Sequence, residues 1–240
     1  MSTGTITGLG LGPGAADLMT VRADRLLRKA THVAYFRKPG RQGQARRIVE
    51  GLIPDGAVEF PMEYPVTTEI PVNDPGYNAA LAPFYDDCAA HLRQLAKDGH
   101  DVVVLCEGDP FFYGSFMHLY TRLEGCPVNV VPAITGMSAA WTASGQPITW
   151  GDDVLCVLMA TLSEDDLTTH MERSDALVVM KIGRNIDKVR TALRRAGKYD
   201  SAWLVEYAAM PEQTVRPLRE LEGPVPYFSI VLVHGHGRRP

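Results

Sequence analysis

Asp101-Val102-Val103-Val104-Leu105-Cys106-Glu107-Gly108-Asp109-Pro110-Phe111-Phe112-Tyr113-Gly114-Ser115 lies near the middle of the 240-residue chain. After Asp101 come five consecutive apolar residues with no polar alternation. A strand apolar at every position is one buried on both faces, as in a parallel sheet covered by helices. The nine residues from Glu107 to Ser115 then hold two acids, two glycines and three aromatic rings. That composition makes a poor core and a good pocket, and ligands of open α/β sheets bind beyond the carboxyl ends of the strands. Pro110 biases Asp109 toward extended backbone, and Gly108 and Gly114 permit close backbone approach. The plainer alternative is a surface loop with some buried rings.

Working outward, short apolar runs predict strands at 5–9, 32–36, 128–131, 154–160, 177–182, 202–207 and 228–234. Helices are expected at 18–30, 44–52, 135–144, 164–172 and 185–196, with Asn185 as N-cap and Gly197 as stop. Another helix ends near Gly99. Its Leu81, Tyr85, Cys88, Leu92 and Leu95 follow the i, i+4, i+7 spacing of one buried face, and Pro83 kinks it or marks a late start. Residues 39–75 are rich in Pro, Gly and polar residues, a functional excursion rather than a plain connection. The alternation predicts an α/β fold with a largely parallel sheet. Two α/β lobes with a cleft between them are expected, an N-terminal lobe at 1–131 and a C-terminal lobe at 132–240.

The formal net charge of −4 gives no reason to expect a nucleic-acid partner. The opening MSTGTITGLGLGPG lacks the basic and apolar regions of a signal peptide, and no apolar run nears the roughly 20 residues of a membrane span. A cytoplasmic protein is expected. Cys88, Cys106, Cys126 and Cys156 form no C-x-x-C pair and read as reduced thiols. His234 and His236 resemble a metal pair, but spacing supplies no third ligand, so no metal is expected. The Gly-Arg-Arg-Pro end reads as a frayed tail.

Three further segments carry chemistry. Gly8-Leu9-Gly10-Leu11-Gly12-Pro13-Gly14 is a glycine-rich turn between strand and helix. With Ala15 it meets the loose G-x-G-x-x-A dinucleotide pattern, which would suit an NADP-dependent reductase with Arg37 after its second strand. Against that, Pro13 removes a donor, and no acid lies between Arg25 and Val49 to hold a ribose. Val131-Pro132-Ala133-Ile134-Thr135-Gly136-Met137-Ser138-Ala139-Ala140 is a strand end entering a helix of small residues, which suits either a ligand or close helix packing. Finally, Arg22, Arg25, Arg28, Lys29, Arg37, Lys38, Arg41, Arg46 and Arg47 are interrupted by one acid, Asp24. The first four suit a solvated helix face. Arg37, Lys38, Arg46 and Arg47 suit contact with an anionic ligand that arginine can grip through two oxygens.

Together these segments resemble the tetrapyrrole (corrin and porphyrin) methylase family. The Gly10–Gly14 turn with Leu18 and Thr20 looks like its first motif and Glu107-Gly108-Asp109-Pro110 its second. Val131–Thr135 looks like the third, Lys181-Ile182-Gly183 the fourth and Glu206–Gln213 the fifth. The run Gly108–Phe116, Met180-Lys181-Ile182-Gly183-Arg184-Asn185 and Pro226-Tyr227-Phe228-Ser229 resemble the branch that methylates C-20 of precorrin-2, giving precorrin-3A in cobalamin synthesis. Many relatives carry Gly or Ser where this chain has Glu107.

The resemblance implies a two-lobed homodimer that uses S-adenosylmethionine and releases S-adenosylhomocysteine. The implied cofactor contacts are Pro13, Glu107, Gly108, Asp109, Phe112, Thr135, Gly136, Ile182 and Ala208. The tetrapyrrole would lie beside them, near Tyr113 and the basic residues after Phe36. Asp109 and Tyr113 are the candidate catalytic residues, with Glu107 a further candidate for handling a proton. Cobalt-containing substrates, a sister ring position, or a non-catalytic tetrapyrrole carrier remain as alternatives.

Overall fold

The computed structural model describes residues 3–67 and 74–239. The chain divides into two compact units, Met1–Thr135 and Gly136–Pro240. Among the described residues no helix is long and apolar enough to cross a membrane.

In the first unit the apolar run forms β4 (Val102–Cys106), buried at all five positions. It pairs in parallel with β1 (Ile6–Gly10) on one side and β2 (His32–Arg37) on the other. β3 (Val58–Glu63) joins the outside of β2 and β5 (Val128–Val131) the outside of β1, giving the order β3-β2-β4-β1-β5, all parallel. Side-chain alternation divides the core. Val102, Val104 and Cys106 pack with Leu81, Tyr85, Cys88 and Leu92 of α3 (Pro75–Lys97) and with Phe116 and Leu119 of α4 (Phe116–Tyr120). Val103 and Leu105 face Ala23 and Leu27 of α1 (Val21–Leu27) and Ala45 and Ile48 of α2 (Gln44–Ile48). Both faces are therefore covered, which is what an all-apolar strand requires.

α3 begins well before Pro83, with Asp74 capping Gly76 N–H at 2.8 Å and Pro75 in the first turn, where its missing donor costs nothing. The helix continues through Pro83 rather than starting late. The excursion at 39–75 also holds a strand that the pattern did not predict, β3. Its Pro61, paired opposite Tyr35, is tolerated because β3 is an edge strand. Residues 68–73 of the excursion lie outside the described residues.

The second unit carries β6 (Leu155–Met159), β7 (Ala176–Met180), β8 (Ala202–Glu206), β9 (Thr214–Pro217) and β10 (Ser229–Val233) in the order β6-β7-β10-β8-β9. Only β6 and β7 are parallel; β10 runs antiparallel to β7 and β8, and β9 antiparallel to β8. The expectation of a largely parallel sheet is thus corrected for this unit. Doubly buried runs carry no signal of direction, and no α-helix intervenes between β8 and β10 to make a parallel crossover. α6 (Glu164–Glu172) and α7 (Ile186–Arg195) cover one face, while α5 (Gly136–Ala143) lays Ala140 against Val178, Ile230 and Leu232 on the other.

Asn185 occupies the N-cap position of α7, but its side chain accepts no capping bond, because the residue closes a 3-10 turn at Gly183–Asn185. Gly197, at φ +69°, ends the helix as expected. The C-terminal tail is anchored, not frayed, up to Arg239. Gly235 N–H donates to Ile148 O at 2.9 Å, Gly237 N–H to Asp153 Oδ2 at 3.3 Å, and Arg239 stacks on Trp150 at 4.4 Å. Glycine is needed at 235 and 237, where a Cβ would lie 2.0 and 2.4 Å from the Asp153 carboxylate.

Candidate active site

The first three motifs meet beyond the carboxyl ends of β1, β4 and β5. Leu11 N–H donates to Cys106 O at 2.9 Å, and Gly108 N–H to Gly12 O at 2.8 Å, so the loops after β1 and β4 are zipped by a short bridge. Both bridge residues have positive φ, +83° at Gly12 and +68° at Gly108. Asp109 then ties β4 to β5: Oδ1 accepts from Phe111 N–H at 2.9 Å and Oδ2 from Ala133 N–H at 3.0 Å. Gly10 sits where the loops close. A Cβ there would lie 2.7 Å from Ala133 Cβ, 2.8 Å from Val131 O and 2.9 Å from Pro110 Cδ. Pro13, Glu107, Gly108, Asp109 and Phe112 are thereby carried on two linked loops, with Thr135 on the segment leaving β5.

The dinucleotide pattern finds no matching structure here. After Gly12 comes a 3-10 turn at Ala16–Leu18, and α1 starts only at Val21. Its N-terminus is occupied by its own Thr20, whose hydroxyl accepts from Ala23 N–H at 3.1 Å. A pyrophosphate held at a helix N-terminus directly after the glycine turn requires a different arrangement.

Two side chains of the β4 loop stand out. Burial pushes the Glu107 carboxyl up to about 8, so it is largely protonated at neutral pH. Tyr113 holds φ +53° and is 44% exposed, its ring in an edge-on contact with Phe112 at 4.9 Å. Cys106, by contrast, is fully buried, its thiol pushed far up by desolvation, and offers no nucleophile. The far end of the loop is held by Ser115, whose hydroxyl bonds to that of Tyr64. Tyr64 stacks on Phe36 and packs on Phe84. Ser115 was visible within the motif. Its partner was not, because Tyr64 falls in the irregular excursion.

In the second unit, Ile182 and Ala208 follow the parallel-running β7 and β8, and β10 begins between those strands at Ser229. Ile182, Ala208 and Ser229 therefore share one end of the sheet, and Gly136 stands over Ile230. A Cβ at Gly136 would make only an ordinary 3.7 Å contact, so helix packing alone does not require glycine there. The Ser229 hydroxyl is buried without a hydrogen-bond partner. The only non-glycine residues with positive φ among those described are Tyr113, Lys181, Tyr207 and Ala209. Lys181 falls in the fourth motif, Tyr207 and Ala209 in the fifth, and Tyr113 in the loop that continues the second. Backbone strain of this kind, of order 1–3 kcal/mol per residue, concentrates at functional sites.

The basic residues divide. Arg28 pairs with Asp24 along exposed α1, as a solvated face does. Arg37 binds Glu63 at 2.7 Å, and Arg46 grips Glu59 through two bonds of 2.8 and 3.1 Å. Lys38 and Arg47 lie on the same loop and on α2.

Residues 5–222 match the model of the Tetrapyrrole (Corrin/Porphyrin) Methylases. The chain is 44% identical over 242 residues to a Sinorhizobium protein named precorrin-2 C(20)-methyltransferase, covering 100% of this chain and 99% of the relative. It is 28% identical to a cobalt-precorrin-2 C(20)-methyltransferase of Salmonella typhimurium, over 96% of each chain. The crystal structure of the methyltransferase CobJ superposes with a TM-score of 0.73 at 25% identity, over 99% of this chain and 97% of that one. With the five motifs placed at the carboxyl ends of their strands, the chain belongs to the tetrapyrrole (corrin/porphyrin) methylases.

Proposed function

We propose that this chain transfers a methyl group from S-adenosylmethionine to C-20 of a metal-free precorrin-2-type ring, giving precorrin-3A in cobalamin synthesis. The observation that carries this reading is 44% identity over the full length of both chains to a protein of that name. The lower identity to the cobalt-named relative favours the metal-free ring.

The residues present fit such a cofactor. A Cβ at Gly108 or at Gly183 would enter open space, so backbone at both loops is approachable. Near Gly108 stand the Phe112 ring and one half-buried carboxyl, Glu107, whose ionisation a neighbouring cation would favour. When bound, the cofactor supplies an electrophilic methyl on a sulfonium. On the first unit Pro13, Gly108, Phe112 and Thr135 would hold it. Alignment of the methyl with the attacking carbon is the main contribution asked of them, worth several kcal/mol.

Asp109 acts here as a positioning residue, since both its oxygens already accept backbone N–H groups. Tyr113 faces the ring substrate. Glu107, raised by desolvation and brought back down by a neighbouring cation, is the side chain proposed to move a proton. Arg37, Lys38, Arg46 and Arg47 form the basic border toward the substrate's carboxylates. The working form is a cytoplasmic homodimer, which light scattering would check.

Incubation with precorrin-2 and S-adenosylmethionine should add one methyl, located at C-20 by NMR. Cobalt-loaded substrate run alongside should react more slowly. Methylation elsewhere would assign a sister activity, binding without transfer a carrier, and thermal stabilisation by NADPH alone a reductase.

A further inference from the structure

A cleft of about 690 Å³ lies within the first unit, on the face of β2 and β3 flanked by α2, lined by Tyr35, Arg37, Arg41, Gln42, Arg46 and Glu59 among others. Two of its arginines are fixed. Glu63 holds Arg37 and Glu59 holds Arg46, with Tyr35 bonded to the same Glu59. Arg41 is different. It is exposed, on the turn between β2 and α2, and makes no ion pair with any described residue. Three guanidiniums thus face two carboxylates, and one positive charge is left over.

The turn containing Arg41 opens at the end of the sheet that carries the zipped loops. β2, β4 and β1 are parallel neighbours in that order, so Arg37 at the end of β2 stands two strands from the Gly10 turn. At about 4.8 Å per strand that is roughly 10 Å. A broad, multiply carboxylated ring held at the β4 loop reaches across that span.

We infer that this cleft is a carboxylate-docking subsite for a peripheral acid group of the tetrapyrrole, with Arg41 as the residue that receives it. The inference rests on the methyltransferase reading for the identity of the ligand. Arg37 and Arg46, locked by their glutamates, form rigid walls. Arg41, held by none, closes on the ligand oxygen through charge-assisted bonds. The subsite sets affinity and orientation and lies away from the reacting carbon.

The test is absorbance titration of the whole protein with precorrin-2, without S-adenosylmethionine, for wild type, Arg41→Gln and Arg41→Lys. Arg41→Gln should raise the Kd roughly fivefold, as loss of one partly exposed charge contact does. Arg41→Lys should recover most of it, and thermal melting should not move. The octamethyl ester of uroporphyrin, which offers no carboxylate, should bind both proteins equally. An unchanged Kd in Arg41→Gln overturns the subsite, as does a shift in oligomeric state with no change in Kd. A fivefold loss of binding in a protein that transfers no methyl would keep the subsite and overturn the methyltransferase reading. Methyl transfer with Arg41→Gln as competent in binding as wild type would do the reverse.

Discussion

Two glutamates in the first unit respond to opposite forces. Glu107, at the end of β4, has its carboxyl raised to about 8 by burial alone. Glu59, on β3, is held below the usual carboxylate range, first by its bonds to Arg46. The β4 loop is built from backbone: a glycine bridge, an aspartate clamped on two N–H groups, and a half-buried carboxyl. The β2–β3 cleft is built from charged side chains that stay partly exposed. A backbone-built loop holds a fixed geometry and penalises a carboxylate charge; a side-chain cleft tolerates charge, with rigid ion-paired walls and one adaptable arginine. That division suits a rigid seat for a cofactor beside an adaptable border for an anionic ring.

The largest expected effect falls on the clamp. Asp109→Ala removes the acceptor of two backbone N–H groups, each such charge-assisted bond being worth about 1.5–3 kcal/mol. A stability loss of about 3 kcal/mol by denaturant unfolding is expected, together with a loss of methyl transfer of at least about tenfold, since the loops carrying the site lose register. Asp109→Asn keeps one acceptor and should fall in between. Stability and rate surviving intact in Asp109→Ala would erase the contrast between the two regions.

Glu107 gives the next effect. Its folded pKa lies above the unfolded value near 4.5, so the native state holds the extra proton between the two. Stability is then full below about pH 4.5 and falls as pH rises toward 8. Glu107→Gln removes this dependence. The variant should gain roughly 2–3 kcal/mol on the wild type between pH 5 and pH 8, read from denaturant midpoints. Parallel pH–stability curves for the two proteins would mean the carboxyl is well solvated.

How much of this was legible follows from the same physics. β4 and its loop could be read because five consecutive apolar residues followed by Gly-Asp-Pro admit few structures. The two missed strands, β3 and β9, are both sheet edges carrying a proline, Pro61 and Pro217; β3 lies in the Pro-, Gly- and polar-rich excursion, and β9 is four residues long with no apolar run to mark it. Missing β3 hid Glu59, Glu63 and Tyr64 together. Arg37 and Arg46 thus looked unpaired in sequence, although each has a carboxylate partner. The strand direction of β10 and β8 was illegible for a different reason: a run buried on both faces looks alike in either direction. Strain at Tyr113, Lys181, Tyr207 and Ala209 leaves no compositional trace, because none of them is the glycine that such backbone usually selects.

The smallest effect separates the regions most finely, because two readouts move in opposite directions. Glu59→Gln removes the carboxylate held by Arg46 and Tyr35. The pair is partly exposed, so the loss is only about 1 kcal/mol. Because the folded pKa of Glu59 lies below its unfolded value, its contribution is present at neutral pH and lost as pH falls through the acid range, the reverse of Glu107. Wild type and Glu59→Gln should therefore converge in stability on acidification, whereas wild type and Glu107→Gln converge near pH 4.5 only to diverge above it. The same substitution leaves the cleft with a second uncompensated positive charge. A polycarboxylate ring should then bind Glu59→Gln more tightly than wild type, by roughly two- to fivefold at low salt, with the gain shrinking as ionic strength rises. Weaker stability with weaker ring binding would show that Glu59 shapes the cleft through Arg46 rather than balancing its charge.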